Sequence, residues 1–252
     1  MNKVKVAVFA DRKIGKSLLK FFLKNKKYSL RLLICTKKNK KLFNEYKVNK
    51  IFFEKKRKIS CWKKITKILK ADNIQTLLLL WCPYIVPKNI CKFKKLQIIN
   101  LHPSYLPYGR GKDANFWSIV ENSPYGVSIM KINQGIDSGN YFVKKKINYN
   151  FLDTGYSLYE NGLKEMKLLY KKNIFNILEK KLKSKKQNLS KGSYHKREEM
   201  EKLSEIKLNK LYKAKDLINI LRAKMFPKQN PAYFIHNKKK YFIKIKIENE
   251  KK

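Results

Sequence analysis

The sequence predicts an α/β fold, with a mostly parallel sheet flanked by helices and a small C-terminal helix and β-hairpin extension. Three observations carry this reading. Short apolar strands alternate with segments whose apolar residues recur at helical spacing, the pattern of strand–helix–strand units. The stretch richest in Gly and Pro, from His102 to Gly139, directly follows an apolar strand, where parallel sheets carry their ligand-binding loops. After a basic link, the tail changes to one helix and an alternating hairpin.

The first strand is Val4 to Phe9, followed by a turn containing Gly15 and a helix over Ser17 to Leu23. Leu30 to Cys35 reads as the second strand, and Ile51 to Phe53 as a short buried strand or loop. Apolar Trp62, Ile65, Ile68 and Leu69 share one helical face, and Thr76 to Trp81 is a continuous apolar strand. Pro83 and Pro87 end it, Pro87 to Cys91 suits a short helix, and Gln97 to Leu101 is another strand. Helical Trp117 to Val120 and a strand over Tyr125 to Ile132 follow. Asp153 or Thr154 can cap a long helix ending near Leu182, because a short side-chain oxygen satisfies free N–H groups ahead of the apolar repeat. The tail holds a helix at Ala214 to Ala223 and a hairpin of Ala232 to Ile235 with Tyr241 to Ile247, turning at Asn237. The expected division is a main domain over 1–183, then a linker and small α+β extension over 184–252.

The formal charge of +43, from 61 Lys+Arg against 18 Asp+Glu, would ordinarily suggest a nucleic-acid or membrane surface. The excess is nearly all Lys and runs from Lys3 to Lys252, so it reads as a bias of the whole chain, although anions would still be attracted. Cys35, Cys61, Cys82 and Cys91 are scattered, with no Cys-x-x-Cys pair and no nearby His to complete a metal site. A reduced, cytoplasmic protein without bound metal is expected. No apolar run is long enough for a secretion signal or a membrane span.

The segment INLHPSYLPY, Ile99 to Tyr108, puts Asn100 and His102 on one face at the end of a buried strand, because strand side chains alternate. A polar amide and an imidazole there are costly unless used or hydrogen-bonded. The segment GIDSG, Gly135 to Gly139, can turn tightly and present Asp137 into a cleft, or hold an ordinary turn aspartate. Between them GRGKDANFW brings Arg110 and Lys112, either anion contacts or solvated loop charges.

Taken together, NLHPSYLP, GRG, a Trp-containing helix and YGVSIMKINQGIDSG resemble the signature of the folate-dependent formyltransferases, with weaker similarity from Val4 to about Leu182. The resemblance implies a Rossmann-like formyltransferase fold and transfer of a formyl group from N10-formyltetrahydrofolate to a primary amine. It implies catalytic roles for Asn100, His102 and Asp137. It maps the folate pocket onto Leu80, Trp81, Cys82, Pro83, Tyr84 and Ile85 and onto Gly135 and Ile136. Ser104, Tyr105, Arg110 and Lys112 fall on the acceptor side.

The tail, with GSYHKREE and LRAKMFPKQNPAYF, is similar in layout to nucleotide-sugar N-formyltransferases. That similarity sets Tyr194, His195, Arg222 and Phe226 near a sugar nucleotide. The alternative is that Phe226, Tyr233 and Phe234 only pack the tail. A nucleotide-linked amino sugar is the favoured acceptor, methionyl-tRNA the second, and a homodimer is implied by analogy. A rival class is a P-loop NTPase, because ADRKIGKS follows a strand and precedes a helix. It lacks the leading Gly and a downstream Mg²⁺-binding Asp. A basic nucleic-acid binder is the third reading and rests on charge alone.

Overall fold

The computed structural model describes residues 3–250. In chain order the elements are β1 (Val4–Ala10), α1 (Arg12–Phe22), β2 (Tyr28–Thr36), β3 (Asn49–Phe53), α2 (Lys58–Ala71), β4 (Thr76–Leu80), α3 (Lys88–Cys91) and β5 (Gln97–His102). There follow β6 (Arg110–Gly111), α4 (Ala114–Val120), β7 (Tyr125–Lys131), β8 (Tyr141–Ile147) and α5 (Gly155–Leu178). Last come β9 (Tyr194–His195), α6 (Arg197–Leu203), α7 (Ala214–Ala223), β10 (Ala232–His236) and β11 (Lys239–Ile243). A seven-stranded sheet runs β3-β2-β1-β4-β5-β7-β8, and its β2–β3, β1–β2, β1–β4 and β4–β5 pairs are parallel. The fold is thus the mixed α/β architecture with a mostly parallel sheet that the alternating pattern predicts.

The chain forms two compact units, each of several segments: 1–102, 129–143 and 167–186 in the first, and 103–128, 144–166 and 187–252 in the second. In the first unit, Phe9, Phe53, Trp62, Leu77 and Ile98 belong to one buried cluster, as continuous apolar strands require when both sheet faces are covered. Phe175 stacks on Phe22 at 5.8 Å and on Tyr28 at 5.7 Å. In the second unit, Ile206, Ile220, Leu221 and Ala232 form a small core against which Phe234 and Ile243 pack. The β10–β11 hairpin turns at Asn237 and Lys238, both at positive φ, the geometry a two-residue hairpin loop demands.

Three expectations need correction. Gly15 lies inside α1, which begins one residue after Asp11; the Gly15 N–H is already bonded to the Asp11 carbonyl at 3.0 Å, so ADRKIGKS forms no loop that could wrap a phosphate. Asp11 is buried instead, its Oδ1 accepting from the Thr36 hydroxyl (2.6 Å), the Thr36 N–H (3.1 Å) and the Asn39 amide (3.0 Å). The strand β8 escapes sequence reading because three consecutive lysines, Lys144 to Lys146, break its apolar alternation. The long helix stops at Leu178 rather than near Leu182, with Lys180 at positive φ just beyond it, where a left-handed residue halts α-helical bonding. Its start agrees with the capping argument, since Thr154 Oγ1 accepts the Ser157 N–H at 3.2 Å.

Gly15 is there for close packing: a Cβ would stand 2.6 Å from the Leu80 carbonyl oxygen and 3.1 Å from the Ala10 carbonyl carbon. Gly15→Ala is therefore expected to destabilise by about 1–3 kcal/mol through overpacking, outweighing the roughly 1 kcal/mol that Ala gains in helix propensity. Urea denaturation checks this, and a midpoint at or above wild type would contradict it.

Candidate active site

In the first unit, β5 leaves the sheet through Asn100 and His102, two residues apart and hence on one face. Asn100 pairs in register with Leu79 of β4, and Leu80 begins the segment that leads through Ile85. The imidazole is buried, 6% exposed overall. Across from it, Asp137 Oδ2 lies 3.7 Å from His102 Nε2, with side-chain exposures of 15% and 8%.

The turn that brings Asp137 here is built from sequence upward. The Ile132 N–H bonds to the Ile98 carbonyl at 2.9 Å, pinning the end of β7 against β5 two residues before Asn100. Asn133 Oδ1 then accepts from the Gly135 N–H and the Ser138 hydroxyl, both at 3.0 Å, a side-chain-closed turn. Gly139 is obligatory, because a Cβ would meet the Lys131 carbonyl oxygen at 1.8 Å. Asp137 itself adopts φ +47°, a left-handed conformation that Asp tolerates and that is concentrated at functional sites.

His102 Nε2 is buried and makes no hydrogen bond within the chain, since 3.7 Å exceeds hydrogen-bonding range. A buried ring nitrogen in that condition costs about 1–3 kcal/mol unless a ligand or a transferred proton engages it. A carboxylate facing an imidazole can hold the ring's orientation. The arrangement can hold or move a proton beside an Asn amide able to donate to a developing oxyanion.

The other expected donor residues lie in the same unit. Leu80 is buried, Trp81 takes φ +72°, and the Cys82 thiol donates to the Tyr84 carbonyl at 3.3 Å. Tyr84 stacks on Phe53 at 4.3 Å between ring centroids. Pro83 and Ile85 are exposed, and Gly135 and Ile136 sit on the Asp137 turn. Exposed apolar groups of this kind suit an aromatic ligand.

The expected acceptor residues belong to the second unit. Ser104 is buried and its carbonyl accepts the Ser128 hydroxyl at 2.8 Å. Tyr105 lies under Lys144, whose ammonium is 4.1 Å from the ring centre and donates to the Leu106 carbonyl at 2.7 Å. Burial holds Lys144 below its ordinary pKa. Arg110 pairs backbone to backbone with Tyr194 in the β6–β9 ladder, and Lys112 is exposed. Lys144 was missed because it stands in a lysine run that looks wholly solvated.

Three of the tail residues are engaged in contacts within the chain. Arg222 is 3% exposed, and its guanidinium donates to Asn219 Oδ1 (2.9 Å), the Asn150 carbonyl (2.8 Å) and the Asp153 carbonyl (2.7 Å). A buried guanidinium must spend its donors in this way. His195 stacks on Trp117 at 3.6 Å, with Glu121 at 2.5 Å from Nε2 and Glu199 at 2.9 Å from Nδ1, so both nitrogens are taken. Phe226 packs against Tyr156 and Tyr159, the packing alternative noted for it. Among the described residues no group of three or more His, Cys, Asp or Glu converges as a metal site, and no helix is long and apolar enough to cross a membrane.

Comparison with known proteins gives the family and the fold. The family described as formyl transferase matches residues 4–174, and the N-formyltransferase dimerization C-terminal domain matches 199–249. Methionyl-tRNA formyltransferase of Mycoplasma mycoides is 27% identical over 265 residues, which span 100% of this chain and 81% of that protein. A 4-N formyltransferase from Francisella tularensis has a TM-score of 0.83 at 23% identity, over 97% of this chain and 98% of that one. The formyltransferase PseJ from Anoxybacillus kamchatkensis, solved in complex with UDP-4,6-dideoxy-4-formamido-L-AltNAc and tetrahydrofolate, is 28% identical with a TM-score of 0.57, over 79% of this chain and 88% of that one.

Proposed function

This chain belongs to the formyl transferase family and is a folate-dependent formyltransferase, and on that premise we propose that it formylates the primary amine of a nucleotide-linked amino sugar, taking the formyl group from N10-formyltetrahydrofolate. The observation that carries the site reading is the buried His102–Asp137 pair beside Asn100 at the end of β5. The donor supplies a formyl carbonyl on nitrogen and is held by the 80–85 segment and the Gly135–Ile136 turn. The Asn100 amide and a His102 N–H donate to the carbonyl oxygen as the attacking amine adds and negative charge gathers there. The new amine–carbon bond forms, the bond to the donor nitrogen breaks, and His102 relays the proton the amine gives up to that leaving nitrogen, directly or through water. Asp137 holds the ring in orientation and steadies its charged form. No nucleophilic Ser or Cys is needed.

Two lines support the sugar nucleotide. The similar solved proteins that share nearly all of this chain include sugar N-formyltransferases, one of them from Shewanella, with a TM-score of 0.82 over 98% of this chain. PseJ, above 25% identity, was solved with a UDP-linked formamido sugar. Methionyl-tRNA is the second reading, favoured by the Mycoplasma relative that matches along all of this chain and by the charge of +43. A homodimer through the C-terminal unit completes the proposal, in keeping with the match over 199–249; Ile235, Tyr241 and Phe242 of the hairpin are 43–48% exposed and suit a self-complementary contact.

The test incubates the protein and N10-formyltetrahydrofolate with a panel of nucleotide-linked amino sugars and, separately, with methionyl-tRNA, following tetrahydrofolate release. Formylated sugar is the expected product. Formylated tRNA alone would transfer the assignment to the second acceptor, and no release with any acceptor would overturn the reading.

A further inference from the structure

In the second unit the chain between α6 and α7 forms a short loop whose residues 207–211 are all exposed. Leu211 is 97% exposed and Leu208 55%, and among the described residues no large apolar side chain stands further out than Leu211. One exposed leucine is ordinary. Two on one loop, three residues apart and set between lysines, make a surface that a partner can cover.

The loop is held at its base. The Lys210 N–H donates to the Lys207 carbonyl at 3.0 Å, and the Lys207 N–H donates to the Tyr212 hydroxyl, also at 3.0 Å. Tyr212 packs on the small core of Ile206, Ile220, Leu221 and Ala232, so its ring closes the loop from beneath while both leucines stay outside.

Charge selects the partner. From Lys207 to Asp216 the chain reads KLNKLYKAKD, four lysines against one acid, and Asp216 lies in the first turn of α7, where a helix end favours it. Glu205, just before the loop, is paired with Lys207 and accepts from the Tyr233 hydroxyl at 3.4 Å. The complement is therefore an anionic surface with an apolar layer behind it. Nucleic acid matches less well, because proteins grip it with Arg forks and open aromatic faces. Here the loop's one aromatic, Tyr212, is turned to the core, has its hydroxyl engaged, and carries the Lys210 ammonium 5.1 Å from its ring centre. Leucines that enter at the acyl boundary, while flexible lysine stems keep their ammonium groups among headgroup phosphates, are the pattern of an interfacial anchor.

We propose that this loop docks the protein reversibly on an anionic lipid surface. Leu208 and Leu211 enter the outer layer of the bilayer, and Lys207, Lys210, Lys213 and Lys215 meet the headgroups. Among the described residues no helix is long and apolar enough to cross a membrane, so the contact is made from one side.

The test floats the whole chain with vesicles of phosphatidylcholine, alone or mixed with phosphatidylglycerol. Binding is expected to the mixed vesicles only and to fade as salt rises. Leu208→Ser with Leu211→Ser should weaken it about tenfold, the share of two partly inserted leucines, at an unchanged melting temperature, since both side chains are exposed. Lys210→Glu with Lys213→Glu should lose it as well. Ile59→Ser is the control for a chain so rich in lysine: Ile59 is 75% exposed and follows Lys55, Lys56 and Lys58 in the first unit, and its replacement should leave binding unchanged. Failure to bind the mixed vesicles, or an equal loss in Ile59→Ser, overturns the proposal. So does binding of duplex RNA in preference to vesicles, which moves the surface to nucleic acid. A shift from dimer to monomer in the leucine double variant, seen by sedimentation, overturns it too and makes the loop a contact between copies.

Discussion

His102→Ala is expected to lower the rate of formyl transfer by about two to four orders of magnitude, the usual contribution of a positioned acid–base group. The ring is buried, faces Asp137 at 3.7 Å and has an Nε2 with no hydrogen bond inside the chain, so the variant loses a proton carrier without breaking an internal bond of that atom. Asp137→Asn should fall between wild type and His102→Ala, because the amide keeps the shape of the turn but not the charge that steadies the imidazolium. Single-turnover release of tetrahydrofolate, with the acceptor that turns over best, gives the numbers, and thermal melts of both variants separate chemistry from folding. Full activity in His102→Ala would remove the proposed mechanism.

Arg222→Met is expected to have the largest effect on stability, a loss of about 3 kcal/mol or more, since three acceptors are left unpaired in a buried site. For a chain of this size that corresponds to a melting temperature lower by roughly 10 °C. The reason is positional: Arg222 on α7 ties together the Asn150 and Asp153 carbonyls, and the Asp153 carboxylate in turn receives the Ser157 hydroxyl at 2.8 Å, at the start of α5. Arg222→Lys should recover only part of the loss, because a single ammonium cannot reproduce the fork. A variant that melts like wild type but loses affinity for UDP-sugars would return Arg222 to the ligand.

How far the candidate site could be read in the chain depended on the range of the forces involved. Strand alternation was enough to put Asn100 and His102 on one face, because that periodicity is local. The cap at Thr154, the helix Ala214–Ala223 and the turn at Asn237 were legible for the same reason. The residues around Asp137 mark it as a turn aspartate and its catalytic role comes from the family resemblance; its approach to His102 depends on the Ile132–Ile98 bond and on the Asn133-closed turn. Arg222 and His195 were set near a sugar nucleotide by the tail's similarity alone, because sequence does not show burial. Lys144 was hidden in a run of like residues, and β8 with it.

By itself the amino-acid order determined the alternation of strands and helices and the strand bearing Asn100 and His102, because each depends on neighbours a few positions apart, and it carried a formyltransferase signature in the order of its motifs. Only the tertiary structure decided that Asp137 meets His102, that Gly15 is a packing residue and not part of a phosphate loop, and that Arg222 reaches the Asn150 and Asp153 carbonyls. Those outcomes depend on which distant carbonyls, carboxylates and apolar surfaces share a volume from which water is excluded, and there an unpaired charge or one added methyl group costs as much as a sizeable share of the folding free energy.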